Sequence, residues 1–167
     1  MTLKEKCIAH AKTILRHKWY VFIECCRLGI PLQGLLHDLS KFRPVEFVSS
    51  AVYFQGDRSP VEAEAEVFGY SYAWRHHKGF NLHHWQWYVD FAGFDEDGSY
   101  RLSVAPIPDR YIKEMLADMI GAGKAYGGTG VQEYYESHKD QIIMHPSSQA
   151  KFERLLADRR MKRRLKG

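Results

Sequence analysis

The chain has 167 residues, enough for a single domain that buries its core without disulfide bonds. Hydrophobic residues make up 45% of it and charged residues 26%, which excludes an intrinsically disordered chain, and no apolar run approaches the roughly eighteen residues of a transmembrane helix. The net charge of +4 comes from residues 151–167, where eight Lys and Arg side chains accompany two acidic ones, so the body of the protein does not have the charge of a nucleic-acid-binding fold.

The first half of the chain predicts helices that are separated by Gly and Pro. Apolar residues recur at helical spacing from the N-terminus, and Gly29 followed by Pro31 is typical of a helix end. Pro44 and Pro60 each suit the first position of a helix, and Ser59 is a suitable N-cap. We therefore predict four helices, over residues 3–28, 32–40, 44–53 and 60–77.

The second half is less regular. A break is predicted at residues 78–81, and residues 82–91 suit either helix or strand. The alternating pattern of residues 100–104 is compatible with a small hairpin inserted near 85–105. Three more helices are predicted, over residues 109–126, over residues 131–139 and from Pro146 onward, with a flexible glycine-rich loop at residues 127–130. The fold class is an all-α multi-helix bundle, with its domain over residues 1–150 and a basic C-terminal helix or tail over residues 151–167.

The three cysteines are Cys7, Cys25 and Cys26. Their number is odd, two are adjacent, and they form no C-x-x-C motif, which fits reduced thiols better than a disulfide framework. The N-terminus has no apolar segment of a secretory signal. We therefore expect a cytoplasmic protein.

The strongest chemical signal is the adjacent pair His37-Asp38 in the run Leu35-Leu36-His37-Asp38-Leu39-Ser40-Lys41. An imidazole and a carboxylate that enter one cavity from the end of a short helix are expected to hold a cation there. His17 lies on the first predicted helix, and Asp118 lies between apolar residues on the helix 109–126. Taken alone, His17 suits an ordinary core histidine, and Asp118 suits an ion pair with Lys113 or Lys124.

Taken together, His17, then His37-Asp38, then Asp118 on successive helices resemble the HD-domain phosphohydrolase superfamily. The resemblance covers roughly residues 10–126. It implies that these four residues bind a divalent metal, and Lys41 falls where that family usually has a lysine.

A second group of histidines lies in the segment Trp74 to Trp85, which contains His76, His77, His83 and His84. Some members of the superfamily hold a second metal with additional histidines, bridged by the motif aspartate. By this resemblance we predict His77 and His84 as ligands of a second metal, with His76 and His83 around them or on the substrate. The alternative is a single metal, with the histidines binding a substrate phosphate.

Several further residues are predicted to act around the metal. Asp38, Lys41 and Arg75 are the catalytic candidates. Lys41 and Arg75 would neutralise a phosphoryl group, and both are also candidates for substrate binding. Lys78 and Lys124 are further substrate-binding candidates, although both are also expected as solvated surface charges. Gln33 and Glu46 are candidates for orienting the ligands.

The resemblance implies a phosphohydrolase that uses a metal-activated water on a nucleotide or another small phosphate ester. One or two divalent transition metals are expected, among Mn, Fe, Co, Ni and Zn. Two alternatives remain open: a di-iron oxygenase of related fold, and a non-catalytic, metal-stabilised binding or regulatory module. No membrane partner is expected, and nucleic acid is expected only through the basic tail.

Overall fold

The structure is a computed structural model, which describes residues 1–128 and 130–159 in full and the helical backbone of residues 160–164. Thr129 of the predicted loop and residues 165–167 of the predicted basic tail lie outside the described residues. The described α-helices are α1 (Leu3–Arg27), α2 (Pro31–Leu36), α3 (Pro44–Tyr53), α4 (Pro60–Phe68), α5 (Tyr72–Phe80), α6 (Asp109–Tyr126), α7 (Val131–His138) and α8 (Pro146–Arg164). Short 3-10 helices cover Leu39–Phe42, Trp85–Tyr88 and Lys139–Gln141.

A small antiparallel hairpin interrupts the helices. Strands β1 (Val89–Phe94) and β2 (Tyr100–Val104) pair with each other in the register Val89 with Val104 and Phe91 with Leu102. The expectation of a mostly helical fold is confirmed, and so is the inserted hairpin. No described helix combines the length and the apolar character needed to cross a membrane.

Local sequence explains most of the helix ends. Thr2 and Glu5 form a reciprocal capping box at the start of α1, and Gly29, with φ of +75°, follows its end. Proline occupies the first turn of α2, α3 and α4, where its missing N–H costs nothing.

The two helices predicted over 32–40 and 60–77 are each divided in the structure. The first divides at His37 and Asp38, which lie between α2 and the 3-10 helix Leu39–Phe42. The second divides at Gly69, whose φ of +78° ends α4 in the left-handed conformation. The break predicted at 78–81 is instead the last turn of α5, which continues through Gly79 to Phe80. His76 and His77 therefore lie on a separate short helix, α5.

Helix α6 is central to the packing. One face buries apolar side chains against α7 and α8, including Leu116 against Phe152 and Tyr135. The opposite face lies along α1, where Ala117 packs with Val21 and Cys25. Because Phe152 and Leu156 are core residues of α8, the boundary predicted at residue 150 falls inside a helix whose first turns are part of the domain. The core therefore holds α1 and α6 together at the level of His17 and Asp118.

Candidate metal centre

Three parts of the fold bring the four predicted motif residues together. His17 comes from α1, Asp118 from α6, and His37 and Asp38 from the junction after α2. Helices α1 and α6 approach closely because residue 121 is Gly: a Cβ there would lie 2.5 Å from Val21 Cγ2. The helix packing that buries the core thus also sets the distance between His17 and Asp118.

The first group of candidate ligands is His17, His37, Asp38 and Asp118. One ligand atom of each lies within 4.8 Å of the others. Asp118 Oδ1 is 3.1 Å from His17 Nε2 and 3.3 Å from His37 Nε2. Asp38 Oδ2 is 3.2 Å from His37 Nε2 and 3.7 Å from His17 Nε2. The structure therefore gathers the four residues of the sequence motif at one point.

The second group is Asp38, His77, His83 and His84, again within 4.8 Å. Asp38 Oδ1 is 3.4 Å from His77 Nε2 and 3.5 Å from His83 Nε2. Oδ2 of Asp38 thus faces the first group while Oδ1 faces the second. The two groups share one carboxylate, with one oxygen directed to each.

The backbone at Asp38 is unusual. Its φ is +53°, the single positive value at a non-glycine residue among the described residues. Asp and Asn tolerate this conformation better than most residues, but it still costs free energy and recurs at functional sites. Here it ends α2 and directs His37 and Asp38 into the same cavity, which a continuous helix over 32–40 would not do.

The centre is buried. His17, His37, Asp38, His77 and His83 are each at most 5% exposed, whereas the side chain of Asp118 is 20% exposed. Within the described residues, Asp38 Oδ1, His83 Nε2 and His84 Nε2 have no hydrogen-bond partner. Buried polar atoms without partners are costly, and imidazole and carboxylate atoms of this kind are ordinary ligands of divalent transition metals. The clusters could therefore hold a metal ion.

The pKa values follow from this crowding. Burial opposes the charged form of Asp38, but electrostatic attraction to the facing side chains, first to His37 and also to Lys41, outweighs it and holds the pKa of Asp38 well below the usual range. Burial likewise opposes ionisation of Asp118, but hydrogen bonds from His17 and His37 hold its pKa well below normal. Both carboxylates are therefore anionic at neutral pH, which is the form that binds cations.

The pKa values of two candidate histidine ligands shift in opposite directions. Burial opposes a charge on His37, but Asp38 and the other facing carboxylates raise its pKa well above normal. Burial and the neighbouring His83 and His77 lower the pKa of His84 well below normal. His84 is thus held neutral, with a lone pair available to a metal. The raised pKa of His37 reflects the negative charge of the carboxylates around it, which a bound cation would also neutralise.

Two buried glutamates contact Nδ1 atoms of histidines in and beside the two groups. In the candidate ligands that they contact, Nδ1 is the outer nitrogen, the one that faces away from Asp38. Glu46 Oε2 accepts from His77 Nδ1 at 2.9 Å, and its Oε1 accepts from His76 Nδ1 at 2.5 Å. Glu114 Oε1 accepts from His37 Nδ1 at 3.0 Å and lies 3.3 Å from His83 Nδ1. Although His37, His83 and Glu114 form a third compact group, both rings direct Nε2 toward Asp38, so we assign Glu114 as a hydrogen-bond acceptor.

The other predicted site residues lie in different surroundings in the structure. His83 lies in the second ligand group, whereas it was predicted around the ligands or on the substrate. His76 is held by Glu46 outside both groups. Gln33 contacts no candidate ligand but donates to Glu114 Oε2 at 2.7 Å. The sequence indicated histidines here but could not rank them, because residues 82–84 form a turn and not a helix.

The Lys and Arg side chains predicted to act on a substrate lie in different places. Lys41 Nζ is 2.6 Å from Asp38 Oδ2, with a side chain 30% exposed, so it stands at the edge of the centre. Lys124, predicted to bind substrate, instead forms an ion pair with buried Glu24 at 2.7 Å. The catalytic role predicted for Arg75 lacks geometric support, because it is two residues from His77 and so projects from the opposite side of α5.

Arg75 and Lys78 line a shallow pocket of about 260 Å³ together with Gly79, Gln86 and Trp87. None of the candidate metal ligands lines it. The substrate-binding roles predicted for Arg75 and Lys78 therefore concern a surface beside the centre and not the centre itself.

Glu114 and Lys18 were missed by the sequence reasoning. Glu114 lies one helical turn before Asp118, so the spacing of four along α6 could have indicated it. Lys18 follows His17 and donates through Nζ to the backbone carbonyl of His37, which ties α1 to the junction. Only the tertiary structure shows that this lysine faces inward.

The fold and the site define a mostly helical protein with a buried His/Asp/Glu centre suited to a metal ion. A family model described as a family of unknown function (DUF5662) matches residues 6–158, and the chain belongs to that family. No curated protein matches the sequence. No solved structure matches it either.

Proposed function

We propose that this protein is a metal-dependent phosphohydrolase that binds two divalent transition metals and acts on a nucleotide or another small phosphate ester. The observation that carries the proposal is the position of Asp38. Its two oxygens face two separate groups of candidate ligands, each completed by histidines, as a carboxylate that bridges two cations would. The order of His17, His37-Asp38 and Asp118 along the chain, which resembles the HD-domain superfamily, supports the same reading.

His17, His37 and Asp118 would hold one metal, and His77, His83 and His84 the other, with Asp38 between them. When bound, divalent metals supply Lewis acidity and make a water molecule nucleophilic near neutral pH. The protein's own part is to keep the carboxylates of this centre ionised and to shield most of its ligands from solvent. Asp38 and Asp118 are held ionised, and Glu46 and Glu114 keep the imidazole Nδ1 atoms occupied so that Nε2 faces inward.

A substrate would approach where the centre is open. The partly exposed side chains of Lys41 and Asp118 mark that edge, while most of the other ligands are nearly fully buried. Lys41 is positively charged, because the negative charges of Asp38 and Asp118 outweigh its burial and raise its pKa. An anionic phosphoryl group at this edge would therefore meet the Lys41 ammonium, which stabilises negative charge that builds up during hydrolysis. The choice of a phosphate ester over another anion rests on the family resemblance.

The first experiment is elemental analysis of the purified protein beside Asp38→Asn. Asn is the matched replacement, because it keeps the size of Asp and tolerates the positive φ at this position. We expect about two equivalents of transition metal in the wild type and loss of both in the variant, since Asp38 serves both groups. Asp109→Asn, at an exposed carboxylate paired with Lys151, is the control and should retain both. Wild-type protein that stays folded but cannot be loaded with Mn, Fe, Co, Ni or Zn would contradict the proposal.

Activity distinguishes the remaining readings. The metal-loaded protein is assayed on nucleoside monophosphates and simple aryl phosphates, beside Lys41→Met and Lys78→Met. We expect hydrolysis that falls at least tenfold in Lys41→Met and much less in Lys78→Met, which lies outside the centre. Bound metal without hydrolysis of any ester would favour the non-catalytic module, and bound iron with a visible absorption band would favour an oxygenase.

A further inference from the structure

Glu114 is a buried carboxylate, 4% exposed, on the face of α6 that meets the junction after α2. Its Oε1 accepts a hydrogen bond from His37 Nδ1 at 3.0 Å and faces His83 Nδ1 at 3.3 Å. Its Oε2 is held by Gln33 Nε2 at 2.7 Å. Both oxygens therefore have partners, and the carboxylate is fixed in one orientation.

The two histidines that Glu114 contacts belong to different groups. His37 is a candidate ligand of the first group and His83 of the second. Their ring centroids lie 4.6 Å apart, so one carboxylate oxygen reaches both. Glu46 provides the contrast, because His77 is the candidate ligand that it contacts, and His77 belongs to the second group alone.

We infer that Glu114 is a positioning residue shared by both groups of ligands, which form the two metal subsites. Loss of its hydrogen bonds should therefore weaken the metal affinity of both subsites together. This inference rests on the two-metal centre proposed above. A carboxylate on the outer nitrogen of a metal-binding imidazole fixes the ring orientation and raises the basicity of the inner nitrogen. Glu114 does this for one ring in each subsite, whereas Glu46 does it in one subsite.

The test compares three buried carboxylates by the same substitution: Glu114→Gln, Glu46→Gln and Glu64→Gln. Glu64 is the matched control, because it is 1% exposed but accepts hydrogen bonds from Ser49 and Ser71 and from no histidine. Metal-free protein is titrated with Co²⁺. Calorimetry measures the affinity for each of the two equivalents, and visible absorption reports the coordination of each bound Co²⁺. Circular dichroism shows that each variant is folded before titration.

We expect Glu114→Gln to lower the affinity for both equivalents of Co²⁺ by about 10- to 100-fold, which is the usual effect of losing a hydrogen-bond partner of a metal ligand. Glu46→Gln should weaken one equivalent, and Glu64→Gln neither. If Glu114→Gln does not fold, Gln33→Leu removes the bond to Oε2 and should weaken both equivalents by a smaller factor. A folded Glu114 or Gln33 variant with two wild-type affinities, or with one weakened and one unchanged, would overturn the inference. If wild type binds no Co²⁺, the two-metal proposal fails first, which is a different result from two intact sites in Glu114→Gln.

Discussion

Glu24 shows how much a single buried carboxylate contributes outside the metal centre. Its side chain is fully buried on α1, where it meets Arg27 at 2.7 Å, Lys124 at 2.7 Å and Arg159. Lys124 comes from α6 and Arg159 from α8, so one residue links three helices. Burial alone would raise its pKa, but the hydrogen bonds from Arg159 and Lys124 outweigh it and lower the pKa to about 2.

This shift predicts a pH dependence of stability. Because the pKa of Glu24 is lower in the folded state than in the unfolded state, its contribution is fully present above about pH 4.5 and is lost as pH falls toward 2. We expect Glu24→Gln to lower the free energy of unfolding by about 2 kcal/mol at pH 7, less than for a fully buried pair because Lys124 is partly exposed. Urea unfolding at pH 7 and pH 3 should show the difference from wild type shrinking by half or more. A difference that stays constant or grows in acid would contradict this assignment.

At the scale of elements, the centre depends on where helices stop and how closely they pack. Helix α2 stops at His37 because Asp38 takes the left-handed conformation, and α4 stops at Gly69 so that α5 can start again at Ser71. Helices α1 and α6 carry His17 and Asp118 at a close approach that requires glycine at position 121. The interruption after α2 therefore places His37 and Asp38, whereas the close packing of α1 and α6 places His17 and Asp118.

Gly121→Ala should therefore be destabilising, although Ala favours helices. The new methyl group would lie 2.5 Å from Val21 Cγ2 and 3.5 Å from His17 Nδ1. Overpacking of this kind costs about 1–3 kcal/mol, more than the helix propensity gained at that position. Urea unfolding measures this loss, and metal affinity should fall with it because the clash with Val21 would move α1, which also carries His17, away from α6.

Gly79→Ala is the matched control in α5, since nothing lies within 4 Å of a Cβ at that position. It should raise the free energy of unfolding by up to about 1 kcal/mol through helix propensity alone. Equal effects of the two substitutions would show that α1 and α6 do not pack as closely as described.

At the scale of the whole molecule, the candidate ligands come from α1, the junction after α2, α5, the turn before the 3-10 helix Trp85–Tyr88, and α6. The ligands themselves span residues 17 to 118, so the complete ligand set exists only in the folded chain. A metal that binds the folded state and not the unfolded one stabilises the fold by mass action.

Metal should accordingly raise the melting temperature. At a free metal concentration about 100 times both dissociation constants, the stabilisation is about 2.7 kcal/mol for each of the two metals, which together correspond to on the order of 10–20 °C in a domain of this size. Thermal melts of wild type with Co²⁺ and with a chelator should differ by that amount, while Asp38→Asn should show no difference. An equal rise in Asp38→Asn would place the binding elsewhere.

Local sequence was sufficient for much of the molecule. The helices 3–28, 44–53 and 109–126 were predicted within a residue of their ends, because caps, prolines and glycines act on their immediate neighbours. The motif residues His17, His37, Asp38 and Asp118 were also recognisable, because adjacent His and Asp in an apolar setting are unusual and their order resembles a known superfamily.

The remaining features depended on residues distant in sequence. The sequence indicated histidines at 76, 77, 83 and 84, but their assignment to ligand or neighbour followed from the end of α5 and the position of Glu46. Lys124 was a candidate for substrate binding because its ion pair was not visible in the sequence. Its partner, Glu24, lies 100 residues earlier in the chain. The sequence by itself determined a mostly helical fold, because helix ends and faces are encoded in local spacing. It indicated the core of a candidate metal site through the adjacent His37 and Asp38 and through the resemblance of the motif order to a known superfamily. The tertiary structure alone decided that Asp38 faces two groups and that Glu114 contacts both, because such contacts exist only once α1, α2, α5 and α6 have packed together.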